Sequence, residues 1–398
     1  MKKKSLVYFQ SGGPTTVINC SFYGVIAEAL KHDEISGLYG SLHGVEGLID
    51  DNLVDLRKED LEDIELLKQT PGAALGSSRK KLPPVTDPLF KKILSTIKKH
   101  DIGYILVNGG NDSMDTCNVL DKFFKKDKMD IQVIGIPKTI DNDLMVTDHC
   151  LGYPSAARHV INSLKMVTED AKAYSKGKVI LVEIMGRNAG WLTASVDLLP
   201  DDERPDLIYL PEMDFDMKRF LKEVNEIYQK KGYCVVACSE GLKIPHKNNG
   251  VVDSFGHASL EGVCLTLSDE IKDKLDIGTR VMDLSLAQRA DPILASETDK
   301  EEAILCGKES VLALLRGESG KMVCIKRKDS DAYLIETFLN DLEDIANHER
   351  HFPKEWIIDE RRLSDDFRRY LTPLVDRECH VEYQNGIFLT AKLRFIKA

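Results

Sequence analysis

The sequence alternates short apolar runs with longer amphipathic stretches, and each run is followed at once by a glycine, a proline or a small polar or acidic residue. Such runs are typical of strands buried on both faces, with helices crossing between them. The predicted strands are Ser5–Gln10, Tyr104–Val107, Gln132–Ile136, Val179–Ile184, Leu207–Leu210 and Tyr233–Cys238. The predicted helices are Val17–Leu30, Pro88–Lys99, Ser113–Lys125, Ser155–Asp170, Phe215–Lys230 and Leu260–Lys274. The pattern therefore predicts an α/β fold, in which ligands bind beyond the carboxyl ends of the strands.

The length of the chain and an internal likeness predict two domains. A chain of 398 residues is more often two domains than one. Two junctions, Tyr104–Gly110 and Tyr233–Gly241, resemble each other, which suggests that two similar α/β layers face each other, one in each half. The last stretch alternates apolar and polar residues around Asn385-Gly386, which predicts a closing hairpin.

Charge and cysteine content narrow the class of protein. The formal net charge of -11 argues against a general partner among nucleic acids or anionic membranes, because such partners need a basic face. No apolar run reaches the roughly 18 residues of a membrane span. The nine cysteines are scattered, without a C-x-x-C pair. We therefore expect a reduced, cytoplasmic protein without a membrane segment.

Two loops contain small residues that suit phosphate. The loop Gln10–Thr15 contains Gly12 and Gly13 between a strand and a helix. Paired glycines let backbone N–H groups approach a phosphate, and a helix N-terminus adds partial positive charge. The loop is neither a P-loop nor G-x-G-x-x-G, so an ordinary tight turn is an equally good interpretation. The loop Leu75–Lys80 offers Arg79 to a phosphate, although a solvated loop is the more common explanation.

The loop Val107–Ser113 ends a strongly apolar strand and begins a helix. Asp112 or Ser113 could simply be the N-cap of that helix. Two glycines followed by Asn111 and Asp112 would equally suit phosphate with hydrated Mg²⁺, because that cation prefers oxygen ligands. An acid that faces a polyphosphate needs a metal ion or a lysine between them, since like charges repel.

The segment Pro137–Asp143 contains the densest group of reactive side chains. Its carboxylates, Asp141 and Asp143, are two residues apart, next to Lys138 and Thr139, beyond a buried strand. Such a cluster supplies a base for a hydroxyl, a partner for a metal ion and a cation for charge that develops on a phosphate. Turn chemistry explains Asp-Asn-Asp, but it explains the lysine and threonine less well. This segment is therefore the predicted centre of an active site.

Later junctions add cations and one acid. Gly186 would bring Arg187 close to a ligand at the next strand end, and Glu240 follows another predicted strand. Arg280 and Arg289 could bind a monophosphate, although a solvated side chain is the usual explanation of a single arginine.

In this order, these junctions resemble the phosphofructokinase family. The most specific element is Pro-Lys-Thr-Ile-Asp-Asn-Asp, with Gly-Gly-Asn-Asp-Ser before it and Met-Gly-Arg after it. The resemblance implies two doubly wound three-layer domains with the active site in the cleft between them. It implies Mg²⁺ as cofactor and transfer of phosphate to the 1-hydroxyl of fructose 6-phosphate, giving fructose 1,6-bisphosphate. Members share their sugar site between subunits, so a homodimer or homotetramer is implied.

The resemblance also implies domain boundaries and residue roles. The phosphoryl-donor domain would comprise residues 1–152 plus about 290–345, and the fructose 6-phosphate domain 153–289 plus about 346–398. Asp141 would be the base, assisted by Thr139, Asp143 and Arg187. The donor would be bound by Gly12, Gly13, Arg79, Gly110, Asp112, Ser113 and Lys138. The sugar phosphate would be bound by Thr139, Asp141, Lys178, Met185, Gly186, Arg187, Glu240, Arg280 and Arg289, with Lys178 standing where the family often has an arginine from a neighbouring subunit. The metal ligands would be Asn111 and Asp143.

Two positions resemble the pyrophosphate-dependent branch of the family. ATP-using members usually have Gly-Gly-Asp-Gly-Ser and Pro-Gly-Thr-Ile-Asp-Asn-Asp, whereas here Asp112 and Lys138 replace the differing glycines. Asp112 would put bulk and negative charge where the α-phosphate of ATP would lie, and Lys138 would supply a cation to a donor without a nucleoside. The predicted donor is pyrophosphate, and an ATP-dependent enzyme of the same fold is the nearest alternative.

Three departures from the family pattern keep other readings open. Asn111 stands where a metal-facing aspartate is usual, Leu286 where a histidine is usual, and Ala290-Asp291 where paired glycines are usual. A non-catalytic sugar-phosphate sensor would fit Asn111, but a sensor has no need of the base Asp141. An NAD-binding oxidoreductase would need a G-x-G-x-x-G turn, which the sequence lacks.

Overall fold

The structure is a computed structural model that describes residues 3–244, 262–330 and 332–398. Within these residues the chain folds around two sheets. The strands of the larger sheet, numbered along the chain, are β1 (Lys4–Gln10), β2 (Ile35–Ser41), β3 (Leu53–Asp55), β4 (Ile102–Gly109), β5 (Gln132–Pro137), β10 (Lys321–Arg327) and β11 (Ile335–Asp341). They lie in the order β11-β10-β5-β4-β1-β2-β3, and only the outer strands β3 and β11 run antiparallel to their neighbours.

The smaller sheet is entirely parallel and has the order β7-β8-β6-β9. Its strands are β6 (Val179–Ile184), β7 (Leu207–Tyr209), β8 (Cys234–Ser239) and β9 (Thr279–Asp283). Two short hairpins follow near the C-terminus, formed by β12 (Ile357–Asp359) with β13 (Arg362–Leu363) and by β14 (Tyr383–Gln384) with β15 (Ile387–Phe388).

Helices cover both faces of each sheet. The α-helices are α1 (Ile18–Ala29), α2 (Val45–Ile49), α3 (Leu61–Leu66), α4 (Leu89–Lys99), α5 (Asn111–Lys126), α6 (Tyr153–Ala171), α7 (Trp191–Ala194), α8 (Met217–Lys231), α9 (Val263–Leu275), α10 (Ala287–Ala290), α11 (Glu297–Leu315) and α12 (Asp365–Val375). Short 3₁₀ turns lie at Leu56–Lys58, Ser195–Leu198, Leu342–Asp344 and Lys354–Trp356. None of the helices in the described ranges has both the length and the apolar character needed to cross a bilayer.

The layers follow from the alternation of side chains along each strand. In β1, Leu6 and Tyr8 pack towards α1 and α11, whereas Val7 and Phe9 pack towards α2, α4 and α5. The smaller sheet is sandwiched in the same way, between α6, α7 and α12 on one face and α8 and α9 on the other. The predicted architecture of two three-layer α/β units is therefore confirmed.

The local predictions also agree with the structure. The six predicted strands, and five of the six predicted helices, match observed elements to within two residues at each end. The predicted helix Leu260–Lys274 corresponds to α9, but its first two residues lie outside the described residues. The closing hairpin is confirmed, since Asn385 and Gly386 have φ values of 53° and 80°, as a tight two-residue turn requires.

The C-terminal tail returns to the larger sheet. Lys397 pairs with Val54 beside β3, and the backbone N–H of Phe395 donates to the carboxylate of Glu59 at 2.9 Å. The side chain of Gln69 donates to the backbone oxygen of Leu389, also at 2.9 Å. Residues 352–375 pack instead with the smaller sheet. We propose to count the tail from residue 378 with the larger sheet, which shortens the second part of the predicted fructose 6-phosphate domain.

Candidate active site

The carboxyl ends of β1, β4 and β5 lie side by side because the strands are parallel and in register. Gln10 pairs with Asn108, and Gly109 pairs with Pro137. The backbone N–H of Ser11 donates to Asn108 at 2.9 Å, and that of Lys138 donates to Gly109 at 3.0 Å. Three junctions that are distant in sequence therefore form one continuous edge, as predicted.

Lys138 lies on the floor of this edge. Its side chain is buried, with 3% of the residue exposed, and its ammonium donates to the backbone oxygen of Gly13 at 2.6 Å. A Cβ atom at Gly12 would lie 3.4 Å from the same nitrogen. Burial, assisted by the charge of Arg289, lowers the pKa of Lys138 to about 8, and the charges of Asp141 and Asp143 oppose this shift. Among the described residues, no carboxylate forms a salt bridge with this lysine.

The N-terminus of α5 opens beside Lys138. Gly110 is its N-cap, and Asn111, Asp112 and Ser113 form its first turn. A Cβ at Gly109 would lie 2.1 Å from Oγ of Ser113, so only glycine fits against this turn. The N-terminus of this helix of 16 residues carries partial positive charge at this point.

The amide of Asn111 is used by the protein itself. Its oxygen accepts a hydrogen bond of 2.6 Å from the backbone N–H of Asn347, and its nitrogen donates to the backbone oxygen of His348 at 2.5 Å. Asn347 also donates from its side chain to Asp115 in α5, at 3.0 Å. The predicted metal ligand Asn111 thus anchors a segment from the end of the chain.

The two carboxylates of the central segment are strongly influenced by burial. The hydroxyl of Thr139 accepts a bond of 3.2 Å from the backbone N–H of Asp141. Burial raises the pKa of Asp141, whereas the charges of Arg187, Lys138 and Arg289 lower it. Burial and then the charge of Asp141 raise the pKa of Asp143 to about 7. One carboxylate oxygen of Asp143, Oδ1, is buried and has no hydrogen-bond partner within the described residues.

The smaller sheet supplies the opposite wall. Gly186 has φ of +134°, which favours glycine, and its backbone N–H donates to the carboxylate of Glu240 at 3.3 Å. Burial and the charge of Asp141 raise the pKa of Glu240 to about 7. A Cβ at Gly241 would lie 1.8 Å from the backbone oxygen of Arg187, so the loops after β6 and β8 are in direct contact.

Arg289 of α10 bridges the two walls. A Cβ at Gly13 would lie 2.9 Å from its Nη1 atom. Burial and the charge of Arg79 lower its pKa, whereas the charges of Asp141 and Glu240 raise it. The neighbouring Gln288 is buried and accepts from the backbone N–H of Met185 at 3.1 Å. Cations from both units thus meet at the centre of the cleft.

Lys178 and Arg280 are not brought to this cleft in a single chain. Lys178 immediately precedes β6, and Arg280 in β9 pairs with Ile180, so both lie near the amino ends of their strands. Both are exposed. Met185 follows the carboxyl end of β6, roughly 20 Å further along the strand. One chain therefore assembles most of the predicted site, without these two cations.

Residues 347–351 contribute to the site, and they were not predicted. Glu349 accepts two hydrogen bonds of 3.0 Å from the side chain of Asn188, and its charge helps to raise the pKa of Asp143. Arg350 contacts the backbone of the segment that contains Asp141 and Asp143. The cluster Asn-His-Glu-Arg-His is the sequence signal that could have drawn attention to this segment.

A buried ionic group lies behind the central segment. His149 is completely buried between Asp148, at 2.9 Å, and Glu302, at 2.6 Å. Burial alone would lower the pKa of His149, but Glu302 and Asp148 raise it to about 9. Tyr333 donates to the other oxygen of Glu302 at 2.7 Å. The protonated histidine therefore joins the loop after β5 to helix α11.

The cleft between the two doubly wound α/β units contains a glycine loop, a helix N-terminus, a buried lysine and a half-buried arginine beside two acids. These features define a phosphotransferase-type site. The family model described as Phosphofructokinase matches residues 5–314. This chain therefore belongs to the phosphofructokinase family, and the predicted resemblance is confirmed.

Individual relatives match nearly the whole chain. It is 35% identical over 405 residues to the pyrophosphate–fructose 6-phosphate 1-phosphotransferase of Halomonas elongata, covering 99% of this chain and 97% of the relative. It is 31% identical over 369 residues to the sulfofructose kinase of Alkalicoccus urumqiensis, covering 92% and 94%. The crystal structure of a pyrophosphate-dependent phosphofructokinase from Marinobacter aquaeolei superposes with a TM-score of 0.90 at 34% identity, covering 99% of this chain and 97% of that one.

Proposed function

We propose that this chain transfers a phosphoryl group from pyrophosphate to the 1-hydroxyl of fructose 6-phosphate, giving fructose 1,6-bisphosphate and orthophosphate. The observation that carries the proposal is the buried ammonium of Lys138. It bonds to the backbone oxygen of Gly13 at 2.6 Å, and it has no carboxylate salt bridge within the described ranges. A buried cation that forms no direct salt bridge with a described carboxylate favours an anionic ligand, and a compact inorganic donor would suit this position.

Each wall of the cleft has a role in this reaction. Asp141 accepts the proton of the 1-hydroxyl, and the resulting oxygen attacks the terminal phosphorus of the donor while the bridging P–O bond breaks. Arg187 and Lys138 both lower the pKa of Asp141 by their charge, so they lie close enough to stabilise charge on the transferring group. The leaving group is orthophosphate, which the glycine loop and the N-terminus of α5 would bind.

The proposed donor specificity rests on Asp112 and Lys138. Asp112 lies in the first turn of α5, beside the glycine loop, so its negative charge would repel the additional phosphate of a nucleotide. Relatives and a solved structure named for pyrophosphate support the same assignment. The ATP-dependent enzyme remains the alternative to be tested.

We propose Mg²⁺ as the cofactor, with Asp143 as its ligand. A buried carboxylate oxygen without a hydrogen-bond partner in the described part of the chain fits a divalent cation or its bound water. When bound, Mg²⁺ would neutralise charge on the phosphate oxygens. Because both groups of the Asn111 amide bind the backbone of residues 347 and 348, we do not retain Asn111 as a ligand.

The sugar phosphate is assigned to the wall formed by the smaller sheet. Met185, Gly186 and Glu240 would contact its hydroxyl groups, and Arg289 its phosphate. Lys178 and Arg280 lie side by side on neighbouring strands at the far end of this sheet. We propose that they reach the site of a second subunit, which makes the active form a homodimer or a homotetramer.

A donor comparison tests the proposal. Purified protein would be incubated with fructose 6-phosphate and Mg²⁺, with pyrophosphate or ATP, while formation of fructose 1,6-bisphosphate is measured. Turnover with pyrophosphate alone supports the proposal, and turnover with ATP alone contradicts it. A parallel reaction with sulfofructose as acceptor tests whether the sugar assignment is correct. Calorimetric binding of fructose 6-phosphate without any turnover would indicate a sensor.

A further inference from the structure

The side chain of Arg350 donates its hydrogen bonds to backbone oxygens. Its Nε and Nη2 atoms donate to the oxygen of Asn142 at 3.1 and 2.8 Å. Its Nη1 atom donates to the oxygens of Thr147 at 2.7 Å and Asp148 at 2.6 Å. Among the described residues it forms no salt bridge with a carboxylate. The rigid, planar fork of a guanidinium suits three oxygens at fixed positions, whereas a lysine ammonium is a single point of attachment.

The residue held most firmly by Arg350 lies between the two proposed reactive acids. Asn142 is fully buried and has φ of +55°, a left-handed conformation uncommon outside glycine. Its side-chain nitrogen donates to the hydroxyl of Tyr370 at 3.0 Å, and its side-chain oxygen accepts from the backbone N–H of Cys150 at 2.8 Å. With Arg350 on its backbone oxygen, Asn142 is fixed by three separate segments of the chain.

Arg350 also contacts Asp143 directly through the main chain. Its backbone N–H donates to the backbone oxygen of Asp143 at 2.7 Å. Its guanidinium lies 4.8 Å from the ring centre of Trp191, and the indole nitrogen of Trp191 donates to the backbone oxygen of Arg350 at 3.2 Å. Arg350 is therefore itself held in place, and it can transmit a fixed geometry to the peptide units on both sides of Asp143.

We propose that Arg350 is a positioning residue, which sets the orientation of Asp143, and of Asp141 relative to it, by fixing Asn142 and the peptide units on both sides of Asp143. The inference rests on the proposed function, because it needs these two acids to act in the transfer. An arginine with a purely structural role would stabilise the fold, and its replacement would not lower kcat selectively. A small rotation of Asn142 would displace both carboxylates, and misplacement of about 1 Å costs roughly 100-fold in rate.

The test compares Arg350→Lys with Arg158→Lys. Arg158 serves as the control, because its guanidinium also donates to backbone oxygens, those of Ala295 at 2.9 Å and Arg377 at 3.3 Å, and its one carboxylate partner among the described residues, Glu378 at 3.6 Å, is exposed and lies outside the central segment. We expect Arg350→Lys to lower kcat roughly 10- to 100-fold, with KM for both substrates changed less than about two-fold. Arg158→Lys should lower the melting temperature about as much as Arg350→Lys does, but it should leave kcat unchanged.

A second variant covers the case in which Arg350→Lys does not fold. Arg350→Ala, assayed with millimolar guanidinium, should regain part of the lost kcat, whereas the same salt should not stimulate Arg158→Ala. Equal kcat losses in the two lysine variants, or a loss that appears only in KM, would overturn the inference. An inactive wild-type enzyme would instead refute the proposed function, so the two failures can be told apart.

Discussion

The ammonium of Lys138 and the backbone oxygen of Gly13 are joined by a hydrogen bond of 2.6 Å, which links the loops that follow β5 and β1. These residues are 125 positions apart in sequence, and the parallel register of the central strands brings them together. A lysine at this position fills the space below the glycine loop with positive charge. The buried ammonium of Lys138 therefore closes the base of this loop.

Replacing both donor-site residues by glycine should weaken the use of pyrophosphate. Asp112→Gly with Lys138→Gly removes the buried cation and the acid at the start of α5, so kcat/KM for pyrophosphate should fall roughly 10- to 100-fold. The single variants serve as controls and should show that most of this loss comes from Lys138. Steady-state kinetics with each donor measures the effect, and an unchanged donor preference would contradict the steric and electrostatic account.

The dependence of kcat/KM for pyrophosphate on pH should be governed, at alkaline pH, by the charge of Lys138. Burial and the charge of Arg289 lower its pKa to about 8, so the free enzyme loses this positive charge as the pH rises through about 8. We expect kcat/KM for pyrophosphate to fall over that range. Lys138→Arg, which stays charged, should not show this fall, and the ionisation of pyrophosphate is common to both profiles. Identical alkaline limbs in the two proteins would exclude Lys138 as their origin.

Removing the proposed base should abolish chemistry and preserve binding. Asp141→Asn keeps the shape of the side chain but cannot accept the hydroxyl proton, so kcat should fall about 10²- to 10⁴-fold. Calorimetry should show fructose 6-phosphate bound within a few-fold of the wild-type affinity. A variant with more than a tenth of the wild-type kcat would show that another group removes the proton.

The proposed metal ligand can be tested by titration with Mg²⁺. Asp143→Asn replaces the buried, unpartnered carboxylate oxygen by a neutral group, so more Mg²⁺ should be needed for half-maximal activity. Asn111→Ala should have a much smaller effect on this requirement, because its amide is bound to the backbone of residues 347 and 348. A larger effect of Asn111→Ala would restore Asn111 as the ligand.

The buried histidine should stabilise the fold in a pH-dependent way. His149→Gln would leave the buried carboxylate of Glu302 without its cation, at a cost of about 3–5 kcal/mol, whereas Asp148 keeps its salt bridge to Arg327 at 3.0 Å. The pKa of His149 is raised to about 9, so its contribution is fully present below the ordinary value near 6.5 and is lost as the pH rises through about 9.

The difference in melting temperature between wild type and His149→Gln should therefore shrink with increasing pH. His32 is the control, because it bonds to Glu28 at 2.9 Å near the surface, where an ion pair contributes at most about 1 kcal/mol. A difference that stays constant from pH 6 to pH 10 would mean that His149 is not charged in the folded protein.

The predictions from sequence succeeded where one short segment contains the whole signal. Buried strands such as β6 are continuous apolar runs, and their ends are marked by glycine and polar residues, as at Gly186. The strands β10 and β11 were not predicted, because the apolar run of β10 is only four residues long between Lys321 and Lys326, and Glu336 interrupts the apolar pattern of β11. Their place in the sheet depends on pairing with β5, which lies far away in sequence.

The candidate site also contains residues that could be predicted from a local pattern and residues that could not. Lys138, Asp141 and Asp143 form a local cluster whose chemistry can be read from residue types alone. Arg350 contacts the same cluster from about 200 residues further along the chain, and although the polar run around it is visible in the sequence, its contacts with particular backbone oxygens are not. Lys178 and Arg280 were predicted from residue type alone. Residue type did not reveal that, within one chain, both lie at the far end of the smaller sheet.

Each unit is completed by residues that come late in the chain. β10 and β11, which belong to the first sheet, follow all strands of the second sheet along the chain, and Phe352, Phe367 and Leu371 enter the core of the second unit. During synthesis, neither core can close until the C-terminal segment has left the ribosome. The nascent chain must hold two unfinished sheets at once, and pairings between such distant segments form slowly. Premature termination or slow release should therefore produce aggregation instead of a smaller folded domain.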